Sequence, residues 1–259
     1  MEDTLRVMKK LHLLGCLLTL ALLAGTATAR GKVLSIRNAS LEARFDTVSQ
    51  QLTILAEGRA VLTDGQLGEG GGPAQVVVVN DKIFGAGQAI VREDAQVALY
   101  ADLPFALLQS TLRNTGAEAK DIRSVKTFSA RAHLDAPVEQ LKTIGTGGLQ
   151  DVGKNTGSYA WLALAEPQRR RGLVAAWLTH DRGSGVVFSP VTNGQARIEA
   201  QIDYGRLRLR PGATEKLETL AVGWFADARL GLEAWADATA KQYAIKLPPQ
   251  PAGFCTWYT

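Results

Sequence analysis

The sequence predicts a mainly β chain: an antiparallel β-sandwich, then one helix and a last, strand-like segment. Three observations point that way. Between residues 33 and 225, short runs rich in β-branched and aromatic residues recur, separated by Gly, Asn and Asp. Several runs alternate apolar and polar residues, as in Arg197-Ile198-Glu199-Ala200-Gln201-Ile202. That period puts one face on a core and the other in water. No strand–helix alternation precedes residue 227, which argues against a doubly wound α/β sheet.

The first element is a leader. Lys9 and Lys10 precede an apolar run over 11–23, and small residues follow, ending Ala27-Thr28-Ala29. A basic start, an apolar stretch of about a dozen residues and an A-x-A site make a secretory signal peptide, here 1–29, cleaved after Ala29. The run is shorter than the ~20 apolar residues of a membrane span. Met8-Lys9-Lys10 opens such a leader more naturally than Glu2-Asp3. Leu13-Leu14-Gly15-Cys16 also resembles a lipid-acceptor site, but the apolar run continues past the cysteine that should close it. The expected location is periplasmic or secreted, with no membrane contact after cleavage. Cleavage leaves only Cys255, so no internal disulfide forms even where the compartment permits one. Stability then rests on an ordinary core, for which 46% hydrophobic and 21% charged residues are suited.

The sandwich is expected over 30–227. Strands at 33–37, 41–45 and 51–56 open it, followed by 74–79, 96–100 and 107–113. Strands at 159–164 and 173–179 flank Arg169-Arg170-Arg171, a solvated hairpin loop after Glu166-Pro167. With a net charge of only +4 and no aromatic residues interleaved, that basic run implies no nucleic-acid partner. Strands at 197–202, 207–210 and 218–225 complete the series. Trp161, Trp177 and Trp224 fall in apolar strands and read as core. After Asp227, Leu230, Leu232, Ala234, Trp235, Ala238 and Tyr243 fall largely on one face of a helix of about four turns. Pro248-Pro249-Gln250-Pro251 breaks it, making 228–250 a linker helix and stiff connector.

Little in this stretch carries chemistry. The glycine-rich stretches 68–72 and 143–148 lack the Gly-Lys-Ser/Thr or strand–turn–helix setting of a phosphate loop. The segment 143–159, long and rich in Gly, Thr, Asn and Asp, is the better candidate for a binding loop. His133, His180 and Cys255 show no metal-ligand spacing. No Gly-x-Ser-x-Gly elbow is present, and His180-Asp181-Arg182 reads as a polar turn at a strand end. Paired carboxylates cleave glycosides, but nothing here pairs two acids across a sugar. No catalytic residue, metal or cofactor is expected.

The C-terminal segment is the informative one. Gly253, Phe254, Cys255, Thr256, Trp257 and Tyr258, after Pro251, form a short motif. It resembles the strand opening the (β/α)-barrel of melibiase-type α-galactosidases and raffinose synthases, glycoside hydrolase clan D, family thirty-six; Phe254 stands where Trp is commoner. The order of a long β region, helix and strand resembles that family over nearly the whole mature chain, whereas the motif covers fewer than ten residues.

The resemblance implies a galactose-mutarotase-like supersandwich before a (β/α)8 barrel that opens at 251–259, with the sequence reading as truncated there. It implies a retaining hydrolase of terminal α-galactosides whose two aspartates lie on later barrel strands, so that this fragment alone is inactive. Trp257 and Tyr258 become substrate-binding candidates, the Trp257 indole packing on a galactose face at the C-terminal end of the strand, where barrel sites lie, or else serving as barrel core. Cys255 is expected as a small buried residue. The partner is an α-galactoside, and a homo-oligomer stays open. The rival is a stand-alone carbohydrate-binding or assembly module, which requires an exposed aromatic platform. A related barrel enzyme for another sugar is the third reading.

Overall fold

The computed structural model describes residues 31–249. The expected leader with Cys16, and 250–259 with Cys255, Trp257 and Tyr258, lie outside the described residues. Along the chain come β1 Val33–Arg37, β2 Leu41–Asp46, β3 Gln51–Ala56, β4 Arg59–Leu67, β5 Gln75–Asp81 and β6 Gly85–Val91. Then follow β7 Ala95–Tyr100, β8 Ala106–Arg113, β9 Lys120–Ala132, β10 Lys142–Gly145, β11 Gly148–Asp151 and β12 Ser158–Tyr159. The last are β13 Trp161–Ala165, β14 Gly172–Trp177, β15 Ser184–Phe188, β16 Val191–Thr192, β17 Gln195–Leu209, β18 Thr214–Phe225 and the helix α1 Ala228–Gln242.

The strands build two antiparallel sheets. The first runs β1-β2-β3-β4-β9-β17-β15-β12, with β16 paired to β17; the second runs β11-β10-β13-β14-β18-β8-β7-β6-β5. Alternation along each strand sends one set of side chains between the sheets. Leu34 and Ile36 of β1, Ile198, Ala200 and Ile202 of β17, and Val97 and Leu99 of β7 meet in this core. Trp177 crosses from the second sheet to the first and is fully buried. It lies so close to Gly185 of β15 that a Cβ there would sit 2.2 Å from the indole. The mainly β sandwich followed by a helix is therefore the observed architecture.

The outer face of the second sheet is also covered, and this explains β14. Leu173, Ala175 and Trp177 point to the main core; Val174 and Ala176 point outward into a second cluster under α1. A strand buried on both faces reads as one apolar run rather than an alternation. The outward positions beneath the helix are small (Ala163, Ala176, Ala221), so the helix approaches closely. Gly231 faces Phe225, where a Cβ would lie 2.5 Å from the ring. Trp235 of α1 stacks at 6.4 Å from Trp161 and donates its indole N–H to the Trp177 carbonyl at 3.1 Å. Leu230, expected on the buried face, is 59% exposed, and Tyr243 caps the helix C-terminus instead of sitting within it. Ala228, Gly231, Trp235 and Ala238, spaced by three and four residues, form the centre of the packed face, and the expected Leu232 and Ala234 flank it, partly buried.

Other differences trace to bulges and turns. No local pattern marks β9, because its alternation breaks at Thr127: Phe128 pairs with Ala200 but Lys126 with Gln201, and Thr127 through Ala130 are all buried. In β4, Asp64-Gly65 looks like a turn but is absorbed as an irregularity, Asp64 at φ 52°. The expected strands 197–202 and 207–210 are one strand, β17, with its irregularity between Asp203 and Leu207. The glycine stretch 68–72 is tied down, since Asp94 accepts the Gly70 N–H at 2.9 Å while pairing with buried Arg92. The arginine loop is not purely solvated either: the Arg170 carbonyl accepts the Ala228 N–H at 2.9 Å, fastening the start of α1.

Candidate functional site

One cavity lies on the outer face of the second sheet beside the C-terminal end of α1, a second lies against β12, β15 and β17 of the first sheet, and the two meet at Asp181 and Arg182. The first has a volume of about 420 Å³ and the second, more open, about 750 Å³. Both fall within the roughly 300–1,000 Å³ of small-molecule sites.

Strand register makes the floor of the first. Gln96 of β7 lies opposite Gln109 of β8, and Gln109 opposite Thr219 of β18. Their side chains form a row across the three strands. Gln96 Nε2 donates to Gln109 Oε1 at 3.3 Å, and Gln109 Nε2 donates to Thr219 Oγ1 at 3.1 Å. One wall is the β5–β6 turn, where Asp81 Oδ1 accepts the Ile83 and Phe84 N–H groups at 2.7 and 3.0 Å. Phe84 leans on Tyr100, ring centroids 5.8 Å apart. Burial, and secondarily the Asp81 charge, pushes the Tyr100 phenol above its ordinary pKa.

The opposite wall is the turn His180-Asp181-Arg182, held from two sides. Glu218 of β18, 6% exposed, accepts the Thr179 hydroxyl at 2.5 Å and the Arg182 and Gly183 N–H groups at 2.8 and 3.3 Å. Tyr243 accepts the His180 N–H at 2.8 Å and donates to Asp181 Oδ1 at 3.1 Å. Arg182 pairs with Glu215. The second cavity adds Tyr159, Ser184, Asp203 and Tyr204. Burial first, then Glu218 and Glu215, push the Tyr204 phenol to about 12, so it stays a neutral hydroxyl.

The arrangement suits a neutral, hydroxyl-rich ligand. Amides and hydroxyls both donate and accept, carboxylates accept, and aromatic rings stand beside them. Asp81, Asp181, Asp203 and Glu218 outnumber Arg182 and Lys216 along the lining, which disfavours an anion. Among the described residues no group of three or more His, Cys, Asp or Glu could hold a metal, and no helix is long and apolar enough to cross a membrane. Glu218 uses both oxygens to hold the turn, and among the described residues no hydroxyl or thiol pairs with a histidine in the cleft.

Of the sequence candidates, Trp257 and Tyr258 lie outside the described residues. The segment 143–159 forms the hairpin β10–β11 and then β12, and its end, Tyr159, 60% exposed, reaches the second cavity. His133 sits on the other sheet's side, its Nε2 2.8 Å from Thr63 Oγ1. Trp177 is core and Trp161, Trp224 and Trp235 are partly buried, so the exposed aromatics beside the cleft are Tyr159 and Tyr243 rather than a tryptophan. Gln96, Gln109, Tyr204 and Glu218 went unseen in the sequence. Their only local signal is a polar residue at an alternating strand position, which ordinary solvent-facing residues share.

No family model and no curated protein matches the sequence. Among solved structures, the alpha-N-acetylgalactosaminidase NagBb from Bifidobacterium bifidum superposes with a TM-score of 0.52 at 12% identity, covering 81% of this chain and 39% of that one. A TPR-domain containing protein from Parabacteroides distasonis ATCC 8503 gives 0.50 at 11% identity, covering 88% of this chain and 51% of that one. A galactose mutarotase-like protein from Lactobacillus casei ATCC 334 gives 0.41 at 11% identity, over 75% of this chain and 100% of that one. The chain thus spans about half or less of the first two. With those two, at these identities, what is shared is the fold.

Proposed function

We propose that this sandwich is the non-catalytic N-terminal domain of a secreted α-galactosidase-like glycoside hydrolase. The whole enzyme acts on terminal α-galactosides with retention, and residues 1–259 alone are inactive. The observation that carries the reading is the order of elements, a two-sheet sandwich and a helix packed on its outer face, followed in the sequence by the prolines at 248–251 and the motif with Trp257 and Tyr258 that resembles a barrel-opening strand. The fold shared with NagBb, of which this chain covers 39%, supports it. In this account α1 fixes the direction in which the chain leaves the sandwich, and a leader cut after Ala29 delivers it outside the cytoplasm.

The test is to sequence the gene beyond codon 259, express the full reading frame and assay it on a chromogenic α-galactoside. Turnover with retained anomeric configuration, lost when either of two barrel aspartates is changed, supports the proposal. A stop directly after Thr259, or a full product without glycosidase activity, overturns it.

The cleft favours a second reading, a carbohydrate-binding module without catalysis. Calorimetric titration of residues 30–259 with melibiose and raffinose decides it. Saturable binding weakened by Gln109→Leu supports the module, and silence toward both sugars removes it.

A further inference from the structure

The two sheets end in four outer strands, and three of these are ill-suited to accept another strand. β12 has two residues and β11 has four. β1 has five, flanked by Lys32 and ended by Arg37. Short edges and edge charges are the usual protection against strand addition. β5 differs. It is seven residues long, reads Gln-Val-Val-Val-Val-Asn-Asp, and carries no charge before its last residue. Its register with β6 is unbroken from Gln75 to Asp81, so no bulge twists it away. No backbone group of 75–81 bonds to any described residue other than through that ladder. Its far edge therefore presents the N–H and C=O groups of alternate residues to water.

The side chains on this edge are as unusual as its backbone. Val76 lies opposite Ile90 of β6, an inter-sheet core residue, so Val76 and Val78 point to the inner face of the sandwich. They should be buried there, but the second sheet extends past the first: β1 lies against β5 and β6 without covering them. Val76 is 41% exposed and Val78 83%. The edge thus joins an apolar patch to a row of unpaired backbone groups.

We propose that β5 is the homodimerisation edge of this protein, pairing antiparallel with β5 of a second copy so that the two second sheets become continuous. Symmetry singles out the register. Residues opposite each other in a ladder point to the same face, and a two-fold axis perpendicular to the sheet preserves faces. The axis must then pass through a residue rather than between two. Only an axis at the central residue, Val78, overlaps all seven. It sets Val78 against Val78, Val77 against Val79, Val76 against Asn80 and Gln75 against Asp81. No like charges meet, and the most exposed valine of the strand gains an apolar partner at cross-strand distance. The same strand cannot pair this well with the charged or short edges of the other three strands. The inference uses no sugar chemistry and stands apart from the proposed hydrolase reading.

Sedimentation velocity over a concentration series tests it, on the wild-type chain and on Val78→Lys. Val78 is too exposed for the lysine to disturb the core, and circular dichroism melts check that the fold persists. The wild type should sediment as a dimer, and Val78→Lys, which opposes two like charges, should raise the dissociation constant at least about tenfold. In a background lacking Cys16 and Cys255, Val78→Cys should cross-link on mild oxidation. Val48→Cys, also exposed at 69% but in the β2–β3 turn of the other sheet, should not. A wild type that stays monomeric overturns the proposal. So does a Val78→Lys variant that dimerises unchanged, or cross-linking as efficient through residue 48 as through residue 78.

Discussion

Glu218 is the residue through which the sandwich shapes its cleft, and replacing it tests that directly. Its carboxylate takes three bonds from one turn: the Thr179 hydroxyl at 2.5 Å and the Arg182 and Gly183 N–H groups at 2.8 and 3.3 Å. Bonds to a buried charged acceptor contribute ~1.5–3 kcal/mol each. Two corrections lower the sum. The Gly183 bond is long, and the Arg182 N–H, on an exposed residue, regains water once the acceptor is gone. Glu218→Ala should therefore cost about 3 kcal/mol, read as a lower urea midpoint at constant m. At ~2–4 °C per kcal/mol for a domain of this size, Tm should fall by about 6–12 °C.

Glu218→Gln should cost only about 1 kcal/mol. Its amide oxygen still serves the backbone N–H groups. The amide nitrogen can donate to Thr179 Oγ1, which already accepts from the Thr219 N–H at 2.9 Å, so a single hydroxyl proton loses its partner. Amide exchange at Arg182 and Gly183 should quicken in Glu218→Ala and far less in Glu218→Gln. If Glu218→Ala unfolds within ~0.5 kcal/mol of wild type, the level of an ordinary surface change, the turn is held by something else and the reasoning fails.

Three further changes probe the scaffold. Gly185→Ala would push a methyl to 2.2 Å from the Trp177 indole, an overpacking that should cost ~1–3 kcal/mol and alter the near-ultraviolet dichroism of the tryptophans; an unchanged spectrum would mean that the sheets separate freely. Asn114, fully buried, donates to the Glu118 and Leu209 carbonyls at 2.7 and 2.9 Å and accepts the Gly116 N–H at 3.1 Å, so Asn114→Ala should cost ~2–3 kcal/mol by urea unfolding. Asp227, the N-cap of α1, is held near pKa 2 first by its bond with Arg229, below its ordinary 3.8. A lowered folded pKa means a contribution fully present above pH ~4 and lost as pH falls towards 2, so Asp227→Asn should flatten the stability profile in that window. A variant whose melting temperature still tracks wild type across it would show that another carboxylate carries the effect.

How much of this was legible in the residues depends on how local the signal is. β1 and β3 were readable to their end residues, because alternation and flanking turn formers coincide there. β9 was not, because a bulge at Thr127 shifts the alternation, and only its pairing with β17 restores the pattern. The helix was readable as an element, and Leu232, Ala234, Trp235 and Ala238 do lie on its packed face; Leu230, as apolar as Leu232, is exposed, and Gly231 is the residue that approaches Phe225. The cleft was the least legible part. Tyr159 and Asp181 lay in segments noted as a loop and a turn, yet Gln96, Gln109, Thr219 and Glu218 become neighbours only when β7, β8 and β18 come into register.

The sequence by itself determined the class of the fold and the helix that starts at Asp227, because strand period, turn residues and caps act over a few neighbouring positions. Sheet order, the crossing of Trp177 onto Gly185, the exposure of Val78 and the assembly of the cleft were decided by the tertiary structure. Each depends on which distant strands pair and how far one sheet extends past the other, a choice made by the free energy of the whole packed sandwich rather than by any local run of residues.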